Sequence, residues 1–72
     1  MYDLCLRSHD HERRYVLVAQ SGGWEARVEQ DHELRHRRVY DDWHRVERVL
    51  TAFDREVAAL MAEGWNLATV SR

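Results

Sequence analysis

The sequence predicts an α+β fold in which an antiparallel meander sheet of three to four strands packs against one long C-terminal amphipathic helix (ββββα). Two observations predict it. Residues 2–40 contain short apolar segments separated by polar turns, as in consecutive strands. Residues 42–63 then carry their large apolar side chains on a single helical stripe roughly 120° wide, which is typical of a helix lying on a sheet.

Four segments predict strands, at residues 2–7, 13–20, 24–30 and 34–40. The first and third alternate between apolar and polar residues, as half-buried strands do. The second is apolar on both sides, which predicts a central strand covered on both faces. Ser21, Gly22 and Gly23 predict the turn before the third strand, because glycine adopts positive φ at little cost. The fourth segment is the most polar.

The helix is predicted at residues 42–63. Asp41 or Asp42 supplies an N-cap carboxylate, and Gly64 is a natural C′ residue that ends the helix. Residues 65–72 predict either a docked tail or a short terminal strand. The apolar stripe consists of Trp43, Val46, Val49, Leu50, Phe53, Val57, Leu60 and Met61.

The composition predicts one small folded domain over residues 1–72, with 44% hydrophobic and 33% charged residues. Cys5 is the single cysteine, which excludes a disulfide within the chain and fits a reducing compartment. Neither a secretory pattern nor a membrane-spanning run is evident, so we expect a cytoplasmic protein. Lysine and isoleucine are absent. Both have AT-rich codons, so their absence indicates a GC-rich genome and a bacterial or phage origin.

The helical stripe also predicts self-association. A helix of about 33 Å is longer than a four-stranded sheet is wide, at about 15–19 Å, so we expect the stripe to be exposed near Trp43 or Met61. Exposed apolar patches usually mark interfaces, and we therefore expect a non-catalytic protein-interaction module that forms a homodimer. The predicted interface consists of Trp43, Val46, Leu50, Phe53, Val57 and Met61 on the helix, with Val16 and Val18 on the second strand.

A basic segment at residues 35–38 suggests an alternative function, a nucleic-acid-binding regulator that uses Arg35, Arg37 and Arg38. In a regular strand, however, Arg35 and Arg37 point to the side opposite His36 and Arg38, which splits the cluster. The outward glutamates of the third strand, Glu25 and Glu29, are placed to pair with Arg35 or Arg37. With a net charge of −2, an ordinary mixed-charge surface is the competing interpretation.

His9 and His11 are the best candidates for metal ligands, with Asp10 and Glu12 beside them. A metal site needs several donors to converge on one ion, and the spacing of these residues matches no zinc pattern. A solvated loop is therefore the competing interpretation, and we expect no cofactor. The serines, Cys5 and the histidines form no arrangement typical of nucleophilic catalysis, so we expect no enzymatic activity.

Overall fold

A five-stranded antiparallel sheet and one helix form the fold. The computed structural model describes the backbone of residues 2–71 and the side chains of residues 2–68. The elements are β1 (Tyr2–Ser8), β2 (His11–Gln20), β3 (Gly23–Gln30), β4 (Glu33–Tyr40), α1 (Trp43–Ala62) and β5 (Asn66–Ser71). Their order across the sheet is β4-β3-β2-β1-β5. The predicted α+β fold is confirmed, with strand ends that differ from the predicted ones by up to two residues.

Capping hydrogen bonds define both ends of α1, from a side chain at its start and within the backbone at its end. At the start, the Asp42 carboxylate accepts a hydrogen bond from the His44 N–H at 2.9 Å, so Asp42 is the N-cap. At the other end, Gly64 has φ +106°, and the Trp65 N–H donates to the Leu60 carbonyl at 3.0 Å. This Schellman end reverses the chain towards the free edge of β1. In the described chain, α1 is the only helix, and it lacks the length and apolar character needed to cross a membrane.

The tail therefore forms a strand. β5 pairs antiparallel with β1, from Arg7 opposite Asn66 to Asp3 opposite Ser71. Of the two predicted outcomes for residues 65–72, the short terminal strand is confirmed over residues 66–71; Arg72 lies outside the described residues.

The hydrophobic core lies between α1 and the first three strands. Phe53 is at its centre, with ring centroids 5.0 Å from Tyr15 and 5.9 Å from Tyr2. The tyrosine hydroxyls reach the helix, where Tyr2 donates to Asp54 at 3.2 Å and Tyr15 donates to Glu56 at 3.3 Å. The remaining buried members are Leu4, Leu6, Leu17, Ala26, Val28, Val46 and Val57. Ring bodies are thus buried while their polar ends keep partners.

The face of the sheet opposite α1, called the far face below, is covered by charged side chains. Val16 and Cys5 are only 2% and 6% exposed there, although α1 lies on the other face. Arg14 donates to Asp3 beside them, with Nε 2.8 Å from Oδ1, and burial raises the pKa of the Cys5 thiol. β2 was predicted to be covered on both faces. On the far face, Arg14 lies opposite Cys5 and Arg27 lies opposite Val16, and both arginines are held in ion pairs, so their stems are placed to provide that cover.

Candidate binding edge of the sheet

β4 is an exposed edge strand. All of its residues from Glu33 to Val39 are exposed, and Tyr40 is half-buried. Its side chains include two large apolar ones, Leu34 and Val39, which are 55% and 44% exposed. In the described chain β4 pairs on one side alone, with β3, so the N–H and C=O groups along its other side are unpaired. Both side chains and backbone are therefore accessible to a partner along this strand.

A β-bulge changes the direction of Arg35. Val28 pairs with His36 and Glu29 pairs with Leu34, which leaves Arg35 as the extra residue of β4. Arg35 and His36 consequently both line the cavity on the helix side of the sheet. The expectation that Arg35 shares a side with Arg37 is wrong, because regular alternation fails at the bulge.

The helix side of β4 therefore gathers three basic side chains. Arg38 pairs with Ala26, whose side chain lies in the core under α1, so Arg38 faces the same side as His36 and Arg35. Among the described residues, neither Arg35 nor Arg38 takes part in an ion pair. Both arginines are exposed and accessible to an external anion, although Arg35 is also near enough to Asp31 to help lower the pKa of that carboxyl.

A groove of about 320 Å³ runs beside this basic side, between α1 and β4. Ala26 and Val28 of β3 lie at its buried base. It is lined by Arg13, Ala26, Val28, Arg35, His36, Tyr40, Val49, Ala52, Phe53 and Glu56. An apolar base with a few polar groups at the margin is the usual composition of a binding groove.

Arg13 is the third basic side chain that lines the groove, with Arg35 and His36. It lies on β2, opposite Gln30, with its guanidinium carbon 5.8 Å from the centre of the Tyr15 ring. Its Nε is buried and has no hydrogen-bond partner among the described residues. The Tyr15 hydroxyl itself donates to Glu56, and burial raises the pKa of Tyr15 to about 12. Tyr15 thus stays protonated at neutral pH, and its ring offers Arg13 an apolar surface.

The far side of β4 has the opposite character. Arg37 lies there and donates to the Glu25 carboxylate, with Nε 2.5 Å from Oε2, so the predicted cross-strand ion pair is confirmed for Arg37. Arg27 also pairs with Glu25, at 3.2 Å. With Arg37 neutralised, the features of this side that lack a partner are the exposed side chains of Leu34 and Val39.

The histidines proposed as metal ligands lie at one end of the sheet, His9 in the turn between β1 and β2 and His11 at the start of β2. His9 has φ +54°. His11 Nδ1 lies 3.0 Å from Oδ2 of Asp31, whose other oxygen accepts the Glu12 N–H at 2.8 Å. The hydrogen bond from the Glu12 N–H is the main cause that lowers the pKa of Asp31, and the hydrogen bond with His11 is the second. Within the described residues, no three histidine, cysteine or acidic side chains form a group that could hold a metal ion.

The residues predicted as an interface fall into three groups. Val46, Phe53, Val57 and Val16 are buried within one chain, which leaves at most 8% of any one of them accessible to a second copy. Leu50 and Val18 are half-buried. Trp43 and Met61 are 41% and 47% exposed, which confirms that the ends of the apolar stripe are exposed. The prediction of an interface thus stays open for Trp43 and Met61.

Arg13, Leu34 and Val39 were missed by sequence reasoning. Arg13 alternates with Tyr15 and Leu17, so its position on the helix side was readable from β2. Leu34 and Val39 flank the basic segment. The face of the sheet on which they lie depends on the bulge, and no turn residue in the sequence indicates that bulge. Comparison with family models, curated proteins and solved structures finds no match for this chain.

Proposed function

We propose that this chain is a non-catalytic protein-interaction module that forms a homodimer. The observation that supports self-association is the exposure of large apolar side chains at the ends of the helical stripe. Trp43 is 41% exposed and Met61 is 47% exposed, and Leu67, which follows the turn into β5, is 46% exposed. Apolar side chains of this size, left accessible in a chain of 72 residues, favour contact with another protein surface.

Met61 and Leu67 are the better choice for the dimer contact. Trp43 already packs on Trp24, with ring centroids 5.2 Å apart, so part of its surface is used within the chain. Met61 lies in the last turn of α1, and Leu67 lies on β5 opposite Leu6, which faces the core side of the sheet. The two side chains therefore belong to the same end of the helix side, where a second copy can cover both.

A reducing, cytoplasmic compartment in a bacterial or phage-infected cell is part of the same proposal. It rests on the single cysteine of the sequence and on the absence of lysine and isoleucine. Cys5 is 6% exposed, which suits a small apolar residue of the sheet.

Light scattering on a sizing column at physiological salt tests the homodimer. The expected mass is twice the 8.7 kDa of the chain. Met61→Gln should shift the population towards the monomer, because it makes the exposed contact polar while keeping good helix propensity. Arg48→Gln, an exposed change on α1, is the matched control and should leave the mass unchanged. A monomer at high concentration for the unmodified chain contradicts the proposal.

A nucleic-acid-binding regulator is the second candidate function. The observation that favours it is the bulge, which places Arg35 beside His36 and Arg38 with Tyr40 on the same side. Basic side chains near an aromatic ring suit a single strand. Arg37, which the sequence analysis grouped with Arg35 and Arg38, lies on the far face of the sheet and is paired with Glu25. This candidate predicts oligonucleotide binding that weakens steeply with salt.

A further inference from the structure

We propose that the outer edge of β4 binds an extended segment of a partner protein in which acidic and apolar residues alternate. The segment adds to the sheet as a sixth strand, with its acidic side chains towards Arg35 and Arg38 and its apolar side chains towards Leu34 and Val39. This inference rests on the proposed function only in that the chain binds other proteins. It uses a surface away from Met61 and Leu67 and does not require a homodimer.

The helix side of β4 supplies the electrostatic part of the argument. Arg35, His36 and Arg38 lie on one side of an accessible strand, and neither arginine has an ion-pair partner among the described residues. Side chains directly opposite each other on paired strands lie about 4.5–5.5 Å apart, within reach of charge-assisted contact. Carboxylates at alternate positions of an added strand would therefore meet these guanidinium groups.

The far side supplies the apolar part. Leu34 and Val39 are the two most exposed large apolar side chains of the sheet among β1 to β4, and both face away from α1. Arg37 lies between them and is already in an ion pair with Glu25, so an added strand need not supply an acidic residue opposite it. A strand with apolar residues on this side would cover both side chains, since side chains alternate between the two faces of a sheet.

A second copy of this chain is a poor occupant of the same edge. Antiparallel pairing of two β4 strands centred on residues 35–38 would place the basic residues of this segment opposite one another. Like charges on directly opposite residues destabilise strand pairing. The charge pattern therefore selects an acidic partner over self-pairing.

Nucleic acid fits fewer of the observations. A polynucleotide would use the arginines and Tyr40, but it would leave Leu34, Val39 and the unpaired backbone of β4 without partners. An acidic extended peptide uses the charges, the apolar side chains and the backbone together.

The experiment measures binding of a fluorescent peptide of about nine residues, alternating glutamate and valine, a length that spans the eight residues of β4. Titration by fluorescence anisotropy at physiological salt should show saturable binding. A peptide of identical composition with its glutamates in one block should bind at least about tenfold more weakly, since its carboxylates no longer fall on one face. An oligouridylate of matched charge is the third probe.

Variants of the chain identify the side chains involved. Arg38→Gln should weaken the peptide about threefold, and Arg35→Gln combined with Arg38→Gln should weaken it about tenfold. Arg48→Gln removes the same charge from the outer surface of α1 and should change binding by less than about twofold. All three positions are exposed, and a thermal melt of each variant checks that the fold is retained.

Peptide N-methylation tests strand addition itself. Methylating the amides of all valines, or of all glutamates, removes the N–H groups from one or the other edge of the extended peptide. One of the two methylated peptides should lose at least about tenfold in affinity while the other binds as before, because only one edge faces β4.

Three results would overturn the proposal. They are no binding of the alternating peptide at millimolar concentration, equal binding of both methylated peptides, and tighter arginine-dependent binding of the oligouridylate. The last result would support the nucleic-acid function in its place. The mass measurement is independent of the peptide titration. A monomer that binds the peptide would refute the homodimer and support strand addition at β4. A dimer that does not bind the peptide would support the homodimer and refute strand addition.

Discussion

β1 and β4 belong to the same antiparallel sheet but have opposite surroundings. Leu4, Cys5 and Leu6 of β1 are buried, whereas in β4 every residue from Glu33 to Val39 is exposed. Both strands pair in regular register over most of their length, so pairing alone does not explain the difference. β1 lies between β2 and β5, and its Leu4 and Leu6 pack in the core under α1, while β4 lies at one edge of the sheet. A strand can thus be well formed and still leave its side chains exposed rather than in the core.

The largest expected contrast compares a leucine on each strand. Leu6 is 0% exposed and Leu34 is 55% exposed. Leu6→Ala should lower the free energy of unfolding by about 2–5 kcal/mol, because it removes buried apolar volume and leaves a cavity. Leu34→Ala should change it by less than about 0.5 kcal/mol. Urea unfolding followed by circular dichroism measures both.

Equal losses in the free energy of unfolding for Leu6→Ala and Leu34→Ala would contradict the difference described between β1 and β4. A large loss for Leu34→Ala would mean that its side chain is covered in solution, as it would be if a partner or a second copy occupied the far side of β4. Repeating the urea series at two protein concentrations separates these cases, since the stability of an associated form depends on concentration.

Gly23 provides an intermediate effect that is specific to β4. A Cβ atom at Gly23 would overlap the carbonyl oxygen of Tyr40, the last residue of β4. Gly23→Ala should therefore push the end of β4 away from β3 and cost about 1–3 kcal/mol. Hydrogen exchange should show faster amide exchange in β4 than in β1.

Gly22→Ala is the matched control for this change. Gly22 has φ +81° with open space around it, so alanine there costs about 1–2 kcal/mol of backbone strain without displacing β4. The two variants should differ in where exchange accelerates. The same exchange pattern in both would show that Gly23 does not hold the end of β4.

The smallest expected effect concerns acid pH and the far face of β1. The hydrogen bond from Arg14 lowers the pKa of Asp3. A lowered pKa in the folded state means that this carboxylate stabilises the fold at neutral pH and stops doing so as the pH falls through that lowered value. Asp3→Asn should cost less than about 1 kcal/mol at pH 7, because the pair is partly exposed.

The cost of Asp3→Asn should shrink as the pH falls through the lowered pKa of Asp3, because the native carboxylate itself becomes protonated there. Thermal melts between neutral and acid pH measure it, with Asp10→Asn in the exposed turn as the comparison. If the loss of stability caused by Asp3→Asn stayed constant across this pH range, the charge of the Asp3 carboxylate would contribute nothing to the stability difference between the two proteins.

Much of the fold was readable from local pattern. Alternation located β1 and β3, the stripe located α1, and Asp42 and Gly64 marked its ends, because each of these signals acts within a few residues. The terminal strand was left open, since its formation depends on a vacant edge of β1 that only the assembled sheet creates. The cover of Val16 on the far face was predicted, but its source among charged side chains was not, because long arginine stems can replace a packed layer.

The candidate site was less predictable. The basic segment was found from composition, but its division into paired and unpaired charges depends on the bulge at Arg35, which is a property of the pairing between β3 and β4. Arg13 lies 22 residues before Arg35 in the chain and joins the groove only through the sheet. Three-dimensional convergence of this kind leaves no local signal in a single sequence.

The pairing of Asp3 with Ser71 has a practical consequence for handling this protein. The two ends of the described chain lie side by side on β1 and β5, which are three and four positions from β4 across the sheet. A short linker between them would make a closed ring, which a new break in the His9–Asp10 turn could reopen. A tag or fused domain attached at either end would likewise extend from the side opposite β4. Fusion proteins should therefore present the binding edge unobstructed, and surface immobilisation through either end should leave it facing solution.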